Sequence, residues 1–263
     1  MDWALVTGAS SGIGRAFARR LGADGFNLIV VGRRRERLEQ LVAECSNVSV
    51  RPIVADLASA AGVTSIAELC AAENLTLLIN NAGVAHYMPF AQLPEGKAAE
   101  LLHVKVVAPT LLTRAAVPGM VARGAGAIIN VSGMLAFSAP APVEKLPLRR
   151  AVYAATCAHL VAFSQLLHEE LKTSGVKVQA LCPGIVATEF HERQGLDVSA
   201  VPRMSPDDVV TASLRSLTLG EVICAPGLER SDLLDAVFQA DLAAFTAQSS
   251  TLAKRYRDQQ LRR

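Results

Sequence analysis

The sequence predicts an α/β fold of three layers, in which a doubly wound, parallel, seven-stranded sheet lies between helices in a single domain over residues 1–263. Short apolar runs alternate with helix-length segments along the 263 residues, without a linker-like change of composition. Several runs are apolar throughout, as is typical of strands buried on both faces. Strand–helix alternation repeated this often indicates right-handed crossover units and an open parallel sheet.

The elements can be placed in order along the chain. The predicted strands are short and rich in Val, Leu and Ile, at Ala4–Thr7, Asn27–Val31, Val48–Ala55, Leu75–Asn80, Ala127–Val131, Val176–Cys182 and Val222–Ala225. The predicted helices are the longer segments, at 12–23, 34–45, 60–73, 95–122, 150–174, 205–219 and about 230–258. Pro109 lies inside the fourth helix and is expected to kink it or loosen a turn. Residues 136–150 hold three prolines and are predicted to form a loop.

Composition narrows the class of protein. The chain is 51% hydrophobic, and its net charge of +2 is too small to predict a nucleic-acid partner. Five scattered cysteines without a CxxC pair argue against a disulfide framework or a metal site and favour a reducing compartment. No uninterrupted apolar run approaches the roughly 18 residues that span a bilayer, and a strand-like run at the start predicts no signal peptide. We therefore expect a cytoplasmic protein that binds a small-molecule substrate, without nucleic acid, membrane or metal.

The first strand runs into a glycine-rich turn. Gly8, Gly12 and Gly14 lie between this strand and the first helix. Glycines here permit a tight turn and let the backbone approach a pyrophosphate, and the helix N-terminus offers free N–H donors. This context predicts a Rossmann-type dinucleotide site. Its predicted cofactor-binding residues are Gly8, Ser10, Ser11, Gly12, Ile13 and Gly14.

The second strand is followed by Gly32-Arg33-Arg34-Arg35. A Rossmann site for NAD usually places an acidic residue here, whereas arginine suits the 2′-phosphate of NADP(H), which it can bind with two parallel hydrogen bonds. We therefore predict NADP(H) as the cofactor, bound through Arg33 and Arg34. The alternative is a solvated basic helix start, and at least one of these arginines is expected to be an ordinary surface residue.

Three further segments carry a family resemblance. They are Asp56-Leu57, Asn80-Asn81-Ala82-Gly83 and Pro183-Gly184-Ile185-Val186-Ala187-Thr188. With the glycine turn, they resemble the short-chain dehydrogenase/reductase family. The resemblance implies contacts to the adenine from Asp56 and Leu57, to the centre of the cofactor from Asn80, Ala82 and Gly83, and to the nicotinamide from Pro183, Gly184, Val186 and Thr188.

The catalytic residues that the resemblance implies are mostly replaced. The resemblance implies four catalytic residues. They are a tyrosine that acts as acid/base, a lysine four residues later that lowers the tyrosine's pKa, a serine that orients the substrate carbonyl and an asparagine that positions a water. Tyr153 falls at the tyrosine position, where it would also contact the cofactor. Cys157 stands at the lysine position, Gly133 at the serine position and Lys105 at the asparagine position. A phenol with a pKa near 10 exchanges protons poorly at neutral pH without a nearby cation.

Two serines are candidates for the missing hydroxyl. Ser132 precedes Gly133 and is expected to point to the opposite side, because neighbouring strand residues alternate. Ser138 lies in the loop 136–150, which is longer than in the family. The alternative is that both serines are structural.

Compared with the family's pattern, this chain lacks an ammonium group at position 157 and has an additional one at position 105. We predict that Lys105 reaches from its helix and restores a cation near Tyr153. The alternative is a lysine that extends to solvent. Cys157 itself is best interpreted as a small buried hydrophobe.

Three function classes remain open. The first is an NADP(H)-dependent oxidoreductase for a small to medium, partly apolar carbonyl or alcohol, with Tyr153 as acid/base. The second is a non-redox enzyme, such as a cyclase, lyase or isomerase, and the third is an NADP(H)-binding pseudoenzyme or sensor. The loops 84–94, 136–150 and 188–204 are predicted to form the substrate pocket, with His86, Tyr87 and His191 as candidate polar contacts. The resemblance also implies a homodimer or homotetramer through the helices 95–122 and 150–174.

Overall fold

The computed structural model describes residues 2–138 and 149–257. Its centre is a parallel sheet of seven strands in the order β3-β2-β1-β4-β5-β6-β7. The strands are β1 Trp3–Thr7, β2 Asn27–Gly32, β3 Val50–Val54, β4 Leu75–Asn80, β5 Gly126–Val131, β6 Val176–Leu181 and β7 Ile223–Cys224. The chain order reverses between β1 and β4, so the predicted doubly wound α/β fold is confirmed.

Helices pack against both faces of the sheet. They are α1 Gly12–Ala23, α2 Arg35–Glu44, α3 Ala60–Ala72, α4 Glu95–Leu102, α5 Ala108–Arg123, α6 Ala151–Leu171 and α7 Pro206–Leu219. Alternate residues of β1 enter two different core clusters, Ala4 and Val6 in one and Leu5 in the other. This alternation buries both faces of the strand, which explains why its sequence is apolar throughout.

The predicted fourth helix is continuous over 95–123 but contains a wider turn. A π-helical segment, His103–Val107, separates α4 from α5, and Pro109 lies in the first turn of α5. Proline has no N–H to donate to the carbonyl four residues earlier, here that of Lys105, so the helix loosens at this point. The predicted loosened turn is confirmed, and it carries Lys105.

The same helix, residues 95–123, is long and apolar enough to cross a membrane by length and composition alone. However, Leu112, Ala116 and Met120 are buried in the core cluster that includes Leu5 and Ile128 of the sheet. A helix packed in this way is a core helix of the Rossmann unit.

The chain divides into two compact units, residues 1–227 and 228–263. All seven strands belong to the first unit, and the described part of the second contains α8 Asp232–Thr246 and α9 Lys254–Arg257. The prediction of a single helix over 230–258 is wrong, because two separate helices lie in this range. The break falls at residues 247–253, where Ser and Thr side chains hydrogen-bond locally, as between Ser249 and Thr251, and compete with helix formation. That residues 1–263 make one domain stays a prediction.

Candidate active site

A cavity of about 600 Å³ opens along the carboxyl ends of the strands. It lies at the reversal of strand order between β1 and β4, where ligands bind in open α/β sheets, and its volume is ordinary for a small-molecule site. Most of the predicted cofactor residues line it. These are Gly8, Ser10, Ser11, Gly12, Ile13, Arg33, Arg34, Asp56, Leu57, Ala82, Gly83, Tyr153, Pro183, Gly184, Val186 and Thr188.

The glycine turn is fitted to a close backbone approach. Gly8 and Gly12 have φ of +66° and +54°, a conformation that favours glycine. A Cβ on Gly14 would lie 2.3 Å from Asn81 Nδ2 and 2.5 Å from the Gly8 carbonyl oxygen, so this glycine packs α1 against the turn. Ser11, the N-cap of α1, makes no side-chain capping bond. The first N–H groups of α1 are therefore left for an anion, as a dinucleotide pyrophosphate requires.

The two arginines after β2 take different roles. Arg34 is half-buried and its Nη2 donates to Ser10 Oγ at 3.1 Å and to Glu189 Oε1 at 2.6 Å. The hydrogen bond from Arg34, more than any other contact, lowers the pKa of Glu189 to about 2. Arg33 is more exposed and has Glu100 at 3.6 Å. Arg34 is thus held in the cleft beside the glycine turn, whereas Arg33 lies at its rim.

Asn80 lies apart from the other predicted cofactor residues. Its Nδ2 donates to Asn130 Oδ1 at 2.9 Å and to Thr113 Oγ1 at 3.0 Å, which joins β4 to β5 and α5 inside the core. Asn81 lines the cavity instead, and its Nδ2 donates to the Thr7 carbonyl at 2.8 Å. Sequence reasoning passed over Asn81 because two adjacent asparagines give no sign of which one faces the ligand.

The segment after β6 closes one side of the cavity. Ala187 N donates to Met204 O at 2.9 Å and Met204 N donates to Ile185 O at 3.0 Å, so the base of the loop 188–204 is pinned. Thr188 then lies directly over the turn, because a Cβ on Gly12 would come within 3.0 Å of its methyl group.

Tyr153 on α6 is buried at the inner end of the cavity. Its ring contacts Tyr87, with centroids 5.7 Å apart in a T-shaped arrangement, and Phe190, with centroids 6.2 Å apart. Burial raises the pKa of the Tyr153 phenol well above its usual value, and the neighbouring Cys157 and Tyr87 raise it further. Burial likewise raises the pKa of Tyr87. Both phenols therefore remain protonated at neutral pH.

Lys105 reaches the same region from the π-helical turn. Its side chain is buried, and Nζ donates to the Val131 carbonyl at 2.8 Å. The same ammonium lies 5.8 Å from the centroid of the Tyr153 ring. The structure thus brings the cation predicted at position 105 to the face of the tyrosine and does not extend it to solvent.

Cys157 and Gly133, which replace the lysine and the serine of the family's pattern, lie close to each other near Tyr153. Cys157 is fully buried, and a Cβ on Gly133 would lie 3.8 Å from its Sγ. Ser132 lines the cavity, but its hydroxyl donates to the Cys157 carbonyl at 2.8 Å. Ser138 Oγ donates to the Leu135 carbonyl and accepts from Arg150 Nε, and it is absent from the cavity lining. Residues 139–148 of the predicted insertion loop lie outside the described residues.

Two histidines border the pocket, as predicted. His86 Nε2 lies 2.9 Å from Glu100 Oε2. His191 stacks on Tyr87 with ring centroids 6.1 Å apart, and burial lowers its pKa. Within residues 2–138 and 149–257, no three His, Cys, Asp or Glu side chains group as ligands for a metal ion.

A family model described as short chain dehydrogenase matches residues 2–198. The mouse very-long-chain 3-oxoacyl-CoA reductase is 32% identical over 234 residues, which cover 84% of this chain and 72% of the relative. The human protein named inactive hydroxysteroid dehydrogenase-like protein 1 is 35% identical over 194 residues, which cover 72% of this chain and 57% of the relative.

Solved structures agree over almost the whole chain. A short-chain dehydrogenase from Sphingobium yanoikuyae in complex with NADPH has a TM-score of 0.91 and 33% identity, and the match covers 97% of this chain and 100% of that one. The bulky-bulky ketone specific alcohol dehydrogenase from Comamonas testosteroni has a TM-score of 0.86 and 28% identity, with 97% and 98% covered.

Proposed function

The chain belongs to the short chain dehydrogenase family, and from this we propose that it is an NADP(H)-dependent oxidoreductase acting on a small to medium, partly apolar carbonyl or alcohol. One observation carries the proposal. A single cavity joins the glycine turn and Arg34 at one end to the buried Tyr153 at the other, so a dinucleotide can reach from an anion site to a proton donor.

The residues present fit this cofactor. The glycine turn offers free helix N–H groups, and Arg34 with Ser10 offers donors suited to a 2′-phosphate. The relative in complex with NADPH supports the same choice. When bound, the nicotinamide supplies or accepts the hydride. Pro183 and Thr188 also line the cavity, and the family resemblance implies that they would orient the carboxamide.

In the proposed mechanism Tyr153 donates a proton to the carbonyl oxygen as the hydride arrives. Its raised pKa keeps the phenol protonated but also makes it a weak acid, so proton donation at neutral pH depends on a cation that stabilises the tyrosinate. Lys105 offers positive charge near the tyrosinate that forms. Gly133 provides no hydroxyl for the substrate oxygen, so we expect slow turnover.

The substrate side of the cavity is aromatic. Tyr87, Phe190 and His191 contact one another around Tyr153. Such walls favour a partly apolar ketone over a highly charged substrate. The related alcohol dehydrogenase described as specific for bulky-bulky ketones supports this class.

A binding role without turnover is the second candidate. The replacement of three catalytic positions favours it, as does the similarity to a human protein named inactive. In that case the chain would bind NADP(H) through the same groups and change conformation in response. A non-redox reaction in the same pocket remains the third candidate on the same substitutions.

One experiment separates these candidates. The purified protein is titrated with NADPH and NADH by calorimetry, and then offered aliphatic and aromatic ketones while the absorbance of the reduced nicotinamide is followed. NADPH-selective binding with slow oxidation supports the proposal. Binding without oxidation across the panel favours the second candidate, and product formation without oxidation favours the third. Failure to bind either nucleotide overturns the proposed cofactor.

We further propose a homodimer or homotetramer in the cytoplasm. Leu111 on α5 and Leu166 on α6 are 46% and 67% exposed, which supports self-association through these helices. The five cysteines are unpaired and buried, which supports a reducing compartment. Light scattering of the wild type and of Leu166→Glu tests the assembly: a smaller mass for the variant supports it, and a monomeric wild type overturns it.

A further inference from the structure

Glu189 places a carboxylate among the groups that would bind the cofactor's phosphates. Its Oε1 accepts from Arg34 Nη2 at 2.6 Å and from Arg193 Nη1 at 3.3 Å. The nearby Ser11 hydroxyl, after Arg34, helps to lower the pKa of Glu189 to about 2. Glu189 is therefore ionised at any pH at which the protein would work.

These partners are the ones that a 2′-phosphate needs. Arg34 directs Nε and Nη2 toward Ser10 Oγ, at 3.4 and 3.1 Å, and the same Nη2 reaches Glu189. Ser10, Arg34 and Glu189 all line the cavity. A guanidinium already engaged with one anion binds a second one less well, because the two anions repel each other in a partly desolvated site.

We propose that Glu189 is a tethered competitor of the cofactor's 2′-phosphate, and that it sets how strongly the chain prefers NADP(H) over NAD(H). The inference rests on the proposed cofactor. Before the cofactor binds, the carboxylate neutralises Arg34. Binding of NADP(H) transfers Arg34 from Glu189 to the phosphate, whereas NAD(H) leaves the Arg34–Glu189 pair in place.

The position of Glu189 in the chain gives this competition a second consequence. The loop is pinned at its base by the Ala187 N–Met204 O bond, so a released Glu189 moves the residues after Thr188 and leaves the base in place. The next two residues are Phe190, which contacts the Tyr153 ring, and His191, which stacks on Tyr87. Arrival of the 2′-phosphate thus loosens the aromatic cover of the catalytic tyrosine.

The test compares the wild type with Glu189→Gln, which keeps the shape of the side chain and removes its charge. Affinities for NADPH, NADH, adenosine 2′,5′-bisphosphate and AMP are measured by calorimetry. We expect Glu189→Gln to increase the preference for each 2′-phosphorylated ligand over its partner by about tenfold. In an Arg34→Gln background the same change should have no effect on this preference, because the shared partner is gone.

Glu192→Gln is the matched control, since Glu192 lies in the same loop, is exposed and does not line the cavity. An unchanged preference in Glu189→Gln overturns the inference, and so does a weaker one, which would make Glu189 a residue that orients Arg34 for the phosphate. If neither the wild type nor Glu189→Gln binds any of the four ligands, the proposed cofactor fails together with the inference. If the wild type binds NADPH but Glu189→Gln leaves the preference for 2′-phosphorylated ligands unchanged, only the inference about Glu189 fails and the proposed cofactor stands.

Discussion

The ammonium of Lys105 lies 5.8 Å from the ring centroid of Tyr153 while it donates a hydrogen bond to the Val131 carbonyl. A buried cation at the face of a buried phenol stabilises the tyrosinate more than the neutral ring. This charge comes from a helix neighbouring α6, and the family's lysine position on α6 carries Cys157. The pair is therefore the part of the site on which turnover should depend most directly.

We predict that Lys105→Met lowers the rate of NADPH-dependent ketone reduction by about 10²-fold or more, because proton transfer from Tyr153 loses its cation. The measurement is kcat on a ketone accepted by the wild type, with the melting temperature recorded in parallel. Lys97→Met, a change of an exposed lysine on α4, is the control and should leave kcat unchanged. Unchanged turnover in a folded Lys105→Met protein would contradict the role of the ammonium.

A second prediction concerns a variant in which the serine, lysine and asparagine of the family's pattern are restored. The combined change Gly133→Ser, Cys157→Lys and Lys105→Asn should raise kcat by about 10²- to 10⁴-fold, if proton transfer limits turnover. Gly133 accepts a side chain, because its φ of 169° is extended and an added Cβ meets Cys157 Sγ only at 3.8 Å. Position 105 must change together with position 157, because two ammonium groups in one buried site would repel each other.

The control for this swap is Cys157→Lys alone, which should be less stable than the wild type on urea unfolding. A triple variant that folds and binds NADPH but turns over no faster would show that another step limits the rate.

A third prediction separates architecture from binding at Asn80. Asn80, Asn130 and Ser164 form a buried chain of hydrogen bonds that runs from Thr113 on α5 through β4 and β5 to α6. Asn80→Ala should lower the free energy of unfolding by about 2–3 kcal/mol, because it leaves buried polar partners unsatisfied. The NADPH affinity of the folded fraction should change little. A large loss of affinity without loss of stability would restore Asn80 to the cofactor site.

The contrast between Asn80 and Gly8 shows what sequence reasoning could reach. The strands and the glycine turn are encoded locally, since apolar runs and a Gly-x-x-x-Gly-x-Gly turn need few long-range contacts to define them. Which of Asn80 and Asn81 faces the ligand depends on packing against α5. The Arg34–Glu189 pair joins residues 155 positions apart, and no periodic pattern indicates it. The one available signal was an acidic residue directly after Thr188.

The last prediction concerns alkaline stability. Burial raises the pKa of Cys70 and of Cys182 from 9.0 to about 12, and that of Cys224 to about 11. A thiol whose pKa is raised by folding holds its proton in the folded chain and releases it in the unfolded chain above pH 9. Stability from this source is therefore complete below pH 9 and is lost as pH rises toward 12, by about 1.4 kcal/mol per pH unit for each thiol.

Cys70→Ala isolates one of these thiols, because Cys70 is buried on α3 and does not line the cavity. The variant should be less stable than the wild type at pH 7, since the substitution leaves a small void. The difference in unfolding free energy should then shrink as pH rises from 9 to 12, because only the wild type must keep this thiol protonated to remain folded. Urea unfolding of both proteins under reducing conditions measures the difference at each pH. A constant difference across this range would mean that the Cys70 thiolate is tolerated in the folded core, and that burial on α3 does not control its ionisation.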